Sequence, residues 1–461
     1  MKRSLQLPSA HSLYGALTIT LLTLSVIALT FVGLSQASSE PFEALKLSAE
    51  LSHPLVQADQ RSTVYLKVSL EGLKLPSQEE RPPLNLALVI DRSGSMQGDR
   101  IRRAKEAATL AVQQLGPNDI VSVIAYDTHA QVIVPATKAH DKSSLIKAIK
   151  EIKPLNSTAL YAGVELGALE TAKFLSKERV NRVVLLSDGI ANVGPSSPSE
   201  LAELGRKLVA QGLSVSTIGL GLGYNEDLMS QLASAADGNH VFVEHPDQLA
   251  SIMGMELGDA LAAVAQDAHV ELRFAEGVRP VRALGREAEF KGQVVTARLG
   301  TIASQQTRYL LIEAELAPQK LDVRAEIATV KATAYLPSAE ARRELTTTSP
   351  STLAIESAEA VRVAELKAVM EEVLALRATE KQKIAVSLKD RGDSAGAARV
   401  MQESAQLLSS GAARYQSKKL DSLSVEAEED SKEIKKSGAN WARLRKGMRR
   451  KAHKAKTQQS Y

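Results

Sequence analysis

The sequence predicts an α/β domain with a doubly wound, mainly parallel sheet, inserted in a β-sandwich and followed by an α-helical hairpin and a charged tail. Residues 84–261 alternate short apolar runs with amphipathic helical stretches, which is typical of a parallel sheet covered by helices. The predicted sandwich comprises residues 42–80 and 266–347, in which residues 42–73 and the segment after 266 alternate apolar and polar side chains, the period of strands with one buried face, and residues 74–83 form a polar linker with three prolines. Residues 351–420 carry apolar side chains at helical spacing, and residues 421–461 are dominated by charge.

Individual elements of the α/β domain have their own signals. The apolar run at 84–90 predicts a buried strand, and the stripe that begins at Ile101 predicts a helix that Gly116-Pro117 ends. Residues Ser197-Pro198-Ser199-Glu200 form the pattern of a capping box with proline in the first helical turn. The other predicted strands and helices lie at 120–126, 145–152, 158–175, 182–187, 213–220, 228–236, 240–244 and after Pro246.

The strand-like segments on either side of the α/β domain are expected to form one β-sandwich. Before the domain, the alternation of apolar and polar residues is clearest at 64–70. Two or three strands cannot bury an apolar face alone. We therefore expect them to pack with the strands of 266–347, with the α/β domain at 84–261 inserted between the two segments.

The helical part of the chain predicts an αα-hairpin with one helical segment at 351–389 and a second at 397–415. The residues between them, Gly392-Asp393-Ser394-Ala395-Gly396, match the Gly-x-Ser-x-Gly pattern of hydrolase nucleophiles. A nucleophile elbow needs a buried strand before it, whereas a charged helix end precedes this one. We therefore interpret the segment as a helix–helix turn with Ser394 or Asp393 as the cap.

Length and composition set the broad class of the protein. A chain of 461 residues is long enough for two or three domains. Because 44% of its residues are hydrophobic and only 3% are aromatic, we expect the cores of these domains to be aliphatic. The chain has no cysteine, which excludes disulfides, zinc–thiolate sites, thiol catalysis and a lipid-modified N-terminal cysteine. The net charge of +4 is small, but the charges are unevenly distributed along the chain.

The N-terminal segment, residues 1–37, predicts export. Lys2 and Arg3 precede an uncharged apolar stretch at 13–34, and Ser35-Gln36-Ala37 fits a small-x-small cleavage site. The stretch is also long enough to cross a bilayer, so a cleaved signal peptide and a retained membrane anchor are both open. In either case Lys2 and Arg3 stay on the cytoplasmic side of the membrane. We expect the rest of the chain in the bacterial cell envelope, periplasmic or extracellular.

Three polar segments stand where predicted strands or loops give way to helices. Asp91-Arg92-Ser93-Gly94-Ser95 follows the first strand of the α/β domain, Thr158 opens a helix, and Asp188 follows the strand at 182–187. Ligands of open α/β sheets bind at the carboxyl edge of the strands. Three hydroxyls and two carboxylates make an all-oxygen donor set, which suits a hard divalent cation such as Mg²⁺ and lacks the His and Cys that zinc or copper favour.

Asp91, Ser93, Ser95, Thr158 and Asp188 resemble the metal-ion-dependent adhesion site of the von Willebrand factor type A domain, a Rossmann-like α/β fold. The resemblance implies that the three hydroxyls bind Mg²⁺, with Mn²⁺ or Ca²⁺ as alternatives, and that the two aspartates act largely through water. It also implies that an acidic residue of a partner protein completes the coordination. A lone Asp-x-Ser-x-Ser match is equally the pattern of a helix N-cap and turn, so the two distant residues carry the resemblance.

The resemblance covers 84–257 and implies divalent-cation-dependent protein–protein interaction or adhesion, with no enzymatic activity. A metal-dependent hydrolase is a disfavoured alternative, because Mg²⁺ lowers the pKa of water only weakly and no general base adjoins the candidate residues. A membrane-associated structural, channel- or transport-associated protein is the other alternative. A single N-terminal span cannot line a pore alone, which argues against a channel.

The tail at 421–461 places acidic residues first and basic residues after them. Two interpretations are open, a disordered solvated tail and a contact with an anionic envelope surface such as lipid headgroups. The exported compartment argues against nucleic acid as a partner of this tail. His240, Glu244 and His245 lie close together in the sequence but fit no zinc motif, and we expect them at the surface.

Overall fold

A computed structural model of the chain describes residues 44–74, 81–155, 157–436 and 440–458. The predicted signal peptide or anchor at 1–37 lies outside these residues. Within the described part of the chain, none of the helices is both long and apolar enough to span a membrane.

The described residues form strands and α-helices in the following order. The strands are β1 (Leu45–Leu51), β2 (Leu55–Gln57), β3 (Ser62–Gly72), β4 (Leu84–Asp91), β5 (Ile120–Tyr126), β6 (Ala130–Lys138), β7 (Val180–Ser187), β8 (Ser214–Leu220), β9 (His240–Val243), β10 (Ala263–Phe274), β11 (Val278–Leu284), β12 (Glu289–Lys291), β13 (Val294–Ala303), β14 (Thr307–Leu316), β15 (Arg324–Ala325), β16 (Ala328–Leu336), β17 (Ala341–Thr348) and β18 (Thr352–Ile355). The helices are α1 (Asp99–Gln114), α2 (Lys142–Lys150), α3 (Leu160–Ala172), α4 (Pro198–Ala210), α5 (Glu226–Ala235), α6 (Leu249–Leu261), α7 (Ala358–Val363), α8 (Lys367–Asp390), α9 (Ser394–Tyr415), α10 (Lys418–Lys435) and α11 (Asn440–Thr457).

The α/β domain is built on a six-stranded sheet with the strand order β6-β5-β4-β7-β8-β9. All neighbouring strands run parallel except β6, which pairs antiparallel with β5 at one edge. Every residue of β4, β5 and β7 is buried, because α1, α2 and α6 cover one face of the sheet and α3, α4 and α5 cover the other. The predicted doubly wound, mainly parallel sheet is confirmed.

The start of α4 and the edge strand β6 can be compared with the elements predicted from the sequence. The capping box at the start of α4 is confirmed, since Ser197 accepts from the Glu200 backbone N–H and the Glu200 side chain accepts from the Ser197 backbone. Strand β6 is an addition to the predicted elements. It contains Pro135, which an edge strand tolerates because one of its sides makes no ladder hydrogen bonds.

Two antiparallel sheets share a second apolar core. Their strand orders are β1-β3-β14-β11 and β12-β13-β10-β16-β17. Leu66, Val270 and Ile312 are among the side chains of both sheets that lie in this core. The chain leaves the core after β3 and returns to it at β10, where a Cβ on Gly72 would lie 2.9 Å from Val264 Cγ2.

The carboxyl-terminal helical region is present, but it begins later than predicted. Residues 352–355 form β18, which pairs in parallel with β2, and the first helix of the region is the short α7 at Ala358–Val363, followed by the long α8 from Lys367. Thr352 and Ala354 are buried, so this segment has the period of a strand and not of a helix. The turn before α9 is confirmed, since Asp393 caps the helix by accepting from the Gly396 N–H at 2.7 Å.

The structure corrects the expectation of a disordered tail at 421–461. The described residues of this segment form most of α10 and all of α11. Leu420, Ile434 and Met448 of these helices are buried in a core shared with α8 and α9. The rule that links charge blocks to disorder considers each block by itself. Here six of the eight lysines and arginines of α11 pair with acidic residues of other elements, so the opposite charges that are separated along the sequence come together in the fold.

Helix α11 packs on the α/β domain through buried ion pairs. The Lys446 side chain is 3% exposed and pairs with the Glu226 carboxylate. Its ammonium group donates to the Tyr224 backbone carbonyl oxygen at 2.6 Å and lies 4.0 Å from the centre of the Tyr224 ring. Arg445 pairs with Glu226 and with Asp390. These two basic residues are therefore satisfied inside the molecule.

His240 is buried, which corrects the expectation that it lies at the surface, whereas Glu244 is partly exposed and His245 is exposed. The ring of His240 lies 5.7 Å from the ring of His453 on α11. Burial, together with the positive charges of α11, lowers the pKa of His240 to about 3. Burial and the neighbouring His240 lower the pKa of His453 well below its usual range. Both histidines are neutral in the fold.

We expect Glu226→Ala to weaken the docking of α11 and to lower the free energy of unfolding by about 3 kcal/mol, because it leaves the Lys446 ammonium buried without a carboxylate. Trp441 is the only tryptophan of the chain and lies on α11, so its fluorescence during urea denaturation reports this loss. Glu428→Ala is the matched control. The Glu428 side chain is 62% exposed and 3.9 Å from Lys432, so we expect a change below about 1 kcal/mol. Equal effects of the two variants would contradict a buried ion pair.

Acidification is expected to loosen α11. In the unfolded chain His240 and His453 gain protons below about pH 6.5, whereas both stay neutral in the fold. Their contribution to stability is therefore present above about pH 6.5 and declines at lower pH, with about 2 kcal/mol lost for His240 by pH 5 and a further loss for His453. His453→Gln should therefore show a weaker pH dependence of stability, measured by Trp441 fluorescence. His129→Gln, at an exposed position, should keep the pH dependence of the natural sequence. One common pH profile for all three proteins would rule out the histidine pair as its source.

Candidate metal centre

The candidate centre lies at the carboxyl edge of the parallel sheet. Strands β4 and β7 pair with Ile90 opposite Leu186, so both strands end at the same level. Asp91 is the last residue of β4, and Asp188 follows directly after β7. Because parallel strands bring their carboxyl ends to one edge, two carboxylates that are distant in the sequence become neighbours.

Asp91 is buried, and both of its carboxylate oxygens accept hydrogen bonds. Oδ1 accepts from the Ser93 backbone N–H at 2.8 Å, and Oδ2 accepts from Ser187 Oγ at 2.7 Å and from the Tyr126 hydroxyl at 3.3 Å. Burial raises the pKa of Asp91, and the negative charge of Asp188 adds to the rise, while the hydrogen bonds from Ser93 and Ser187 oppose it. Two neighbouring carboxylates in a buried setting favour a cation close by.

Ser93 and Ser95 continue from Asp91 into the loop before α1. Their hydroxyl oxygens lie 3.0 Å apart, and Ser95 Oγ donates to Asp188 Oδ1 at 2.7 Å. Ser93 is buried and Ser95 is exposed, so this row of hydroxyls leads from the interior to the solvent.

Thr158 reaches the same place from the loop before α3. Its backbone N–H donates to Asn192 Oδ1 at 2.9 Å, and the Asn192 N–H donates to the Thr158 carbonyl oxygen at 3.1 Å. A Cβ on Gly189 would lie 3.2 Å from Thr158 Oγ1 and 3.5 Å from Ser95 Oγ, so both hydroxyls line the space beside this glycine. The structure thus brings the five predicted residues together at one edge of the sheet.

Arg100 and the Arg92–Asp127 pair support the centre and were not singled out from the sequence. Arg100, in the first turn of α1, donates from Nη1 to Asp188 Oδ2 at 2.5 Å and to the Ser95 carbonyl oxygen at 3.1 Å. Arg92 Nε donates to Asp127 Oδ2 at 2.6 Å, which ties the loop after β4 to the loop after β5. The sequence around Arg100 gives no signal for this role, because neighbouring Asp99 and Arg102 make it look like part of a charged, exposed helix face.

The donor set fits a hard divalent cation. Hydroxyl oxygens from two loops line the space beside Gly189, and the Asp188 carboxylate bonds to one of them. Oxygen ligands of this kind suit Mg²⁺, Mn²⁺ and Ca²⁺. Across the described residues, no group of three or more His, Asp or Glu side chains is placed to hold a metal, so the hydroxyls distinguish this centre. The Arg100 guanidinium beside Asp188 shows that a positive charge is favoured here.

The family that matches part of this chain covers nearly the same residues as the α/β domain. Residues 85–254 match the profile of the von Willebrand factor type A domain. The chain contains a von Willebrand factor type A domain. Every residue of the candidate centre lies within the matched range, and the type A domain corresponds to the six-stranded sheet with its covering helices.

The similarity of this chain to other proteins extends beyond the type A domain. The chain is 28% identical over 347 residues to the uncharacterized protein sll0103 of Synechocystis, which covers 72% of this chain and 80% of that protein. It shares its fold with a von Willebrand factor type A structure from Catenulispora acidiphila, with a TM-score of 0.66, 14% identity, and coverage of 81% of this chain and 88% of that one. The ArnB paralog VWA2 from Sulfolobus acidocaldarius has a TM-score of 0.58 and 19% identity, and the match covers 90% and 99% of the two chains.

Proposed function

We propose that this chain is an exported protein of the bacterial cell envelope that mediates divalent-cation-dependent protein–protein interaction or adhesion through its type A domain. The cation is Mg²⁺, with Mn²⁺ or Ca²⁺ as alternatives. Ser93, Ser95 and Thr158 hold it, and Asp91 and Asp188 act in supporting or water-mediated roles. The observation that carries the proposal is the meeting of hydroxyls from two loops with carboxylates from two strand ends at one edge of the sheet.

The five residues differ in how they can contribute. Asp91 is buried with both oxygens occupied, so it supplies negative charge and fixes the Ser93 backbone. Ser95 lies on the solvent side, so the centre faces a partner there. Hydroxyl ligands carry no charge, and a divalent cation bound here would offer an electrophilic position to an acidic residue of a partner protein.

Exposed apolar side chains next to the centre support a protein partner. Ile190 is 61% exposed and stands two residues after Asp188, while Leu222 is 41% exposed on the loop after β8. Leu155 is 49% exposed, and its backbone N–H donates to the Arg92 carbonyl oxygen at 2.6 Å. Clustered exposed apolar side chains are typical of protein interaction sites. We propose that these side chains pack against the partner that supplies the acidic residue.

The remainder of the chain is proposed to present the type A domain outside the cytoplasm. Residues 1–37 direct export as a signal peptide or as an anchor. The two antiparallel sheets that share one core act as a β-sandwich platform for the inserted domain.

An anionic envelope surface is a second proposed partner, now limited to part of the basic tail. Arg445 and Lys446 pair with acidic groups inside the molecule, so an outside surface cannot use them. Lys435, Arg450 and Lys454 are exposed and remain available for such a contact.

We expect Thr158→Val to weaken Mn²⁺ binding by about 10–100-fold, because it removes one hydroxyl ligand and keeps the shape of the side chain. Isothermal titration of Mn²⁺ into the full-length protein measures this change. The two hydrogen bonds between Thr158 and Asn192 use the backbone of Thr158 and not its hydroxyl. The loop before α3 should therefore keep its position in the variant.

Thr171→Val is the matched control for this experiment. Its hydroxyl donates to the Gly167 carbonyl oxygen within α3, about 20 Å along the helix from Thr158, and we expect unchanged Mn²⁺ affinity. Asp91→Ala, which removes one of the two carboxylates, should abolish saturable binding. Undiminished Mn²⁺ binding by both Thr158→Val and Asp91→Ala would refute the proposed centre.

Export is tested by producing the full-length chain in a bacterial host, separating the cell fractions and measuring the mass of the N-terminal peptide. Cleavage after Ala37 gives a mature chain that begins at Ser38, whereas a retained anchor leaves Lys2 and Arg3 in the protein and places it in the membrane fraction. Uncleaved protein that stays in the cytosolic fraction would contradict export.

A further inference from the structure

Arg100 places a positive charge inside the candidate metal centre. Its Nη1 donates to Asp188 Oδ2 at 2.5 Å, while Ser95 Oγ donates to Asp188 Oδ1 at 2.7 Å. Both oxygens of this carboxylate are therefore engaged, and its side chain is 0% exposed. A buried carboxylate requires a compensating cation, and here a residue of the chain itself provides it.

The surroundings of Arg100 are shaped for a guanidinium group. Its Nη1 also donates to the Ser95 carbonyl oxygen at 3.1 Å. On the other side lies Gly221, with φ +68°, where a Cβ would come within 3.3 Å of Arg100 Nη2. Both the backbone conformation and the close approach favour glycine at this position. The Arg100 side chain is 37% exposed, so the guanidinium has a path to solvent that leaves the core closed.

A divalent cation and Arg100 make competing demands on Asp188. A cation held by Ser95 and Thr158 would lie next to the carboxylate to which Arg100 is bonded. Like charges a few ångströms apart repel, and a divalent ion repels the guanidinium twice as strongly as a single charge would. The cation and the guanidinium together would carry three positive charges against the two negative charges of the paired aspartates.

We propose that Arg100 is a tethered competitor of the metal, which holds Asp188 in the metal-free domain and moves towards solvent when a divalent cation binds. The inference rests on the proposed metal-dependent function of the same centre. It makes Arg100 the residue that sets the metal affinity of the domain. It also explains how the buried carboxylate remains neutralised where divalent cations are scarce.

Isothermal titration of Mn²⁺ into the full-length protein tests this inference with two variants. We expect Arg100→Gln to bind Mn²⁺ about tenfold more tightly than the natural sequence, because the competing charge is gone. Arg102→Gln is the matched control, since it removes the same charge from the same helix. Arg102 pairs with Asp99 and Glu106 at the surface, so we expect its loss to change the affinity less than about twofold.

The outcomes separate this inference from the function on which it rests. Equal affinities of the natural protein and Arg100→Gln would overturn the competition and leave the metal centre in place. Weaker binding by Arg100→Gln would overturn it as well, because Arg100 would then position Asp188 for the metal. If Arg100→Gln binds Mn²⁺ and the natural protein does not, the result supports strong competition by Arg100. Absence of binding in both proteins overturns the competition and the proposed function together.

A second measurement uses the natural sequence and does not depend on the folding of a variant. Phenylglyoxal modifies free guanidinium groups, and peptide mass spectrometry gives the extent of labelling at each arginine. We expect saturating Mg²⁺ to increase labelling at Arg100 severalfold and to leave the internal control Arg102 unchanged. Unchanged or reduced labelling at Arg100 under saturating Mg²⁺ would overturn its displacement.

Discussion

Two carboxylates buried side by side at one edge of a parallel sheet determine the structure around them. Asp91 and Asp188 are removed from water, and like charges in such a setting repel each other. Asp91 is stabilised by the Ser93 N–H and the Ser187 hydroxyl, whereas Asp188 takes the Ser95 hydroxyl and a guanidinium group. The loop that follows each strand is arranged to deliver these donors. The fold thus compensates the two charges with its own groups.

The sheet could be predicted because its signals are local, and the five oxygen-bearing residues could be predicted because together they resemble the adhesion-site motif of the type A domain. An apolar run that ends in polar residues marks the end of a buried strand, and parallel strands bring such ends to one edge whatever their distance in sequence. Arg100 could not be recognised in this way. It stands in α1 between Asp99 and Arg102, where the charge pattern is that of a solvent-exposed helix face. Its different role comes only from Asp188, which belongs to another strand.

The sequence does not reveal which residues are buried by elements that lie far away along the chain. Strand β9 has the pattern of a short edge strand, and His240 is buried because α11 packs against it from the far end of the chain. The same docking turns Lys446 from one of many basic residues into a buried partner of Glu226. Rules based on local charge predict disorder for this tail, because they contain no term for acidic residues on another element. Periodicity misassigned β18 for a related reason, since its partner β2 lies near the start of the described chain.

The path of the chain through the two antiparallel sheets has a mechanical consequence for a domain that holds on to a partner. The type A domain is joined to those sheets at two points, after β3 and before β10, and the two points lie close together, since a Cβ on Gly72 would lie 2.9 Å from Val264 Cγ2. A pull on the domain is therefore delivered to two strands that are hydrogen-bonded to neighbours over most of their length. Pulling a strand along its own axis strains many of these bonds at once, which resists rupture better than opening them singly. Helix α11 lies outside this load path, because it docks on the domain through its side chains and is not part of either connection to the sheets.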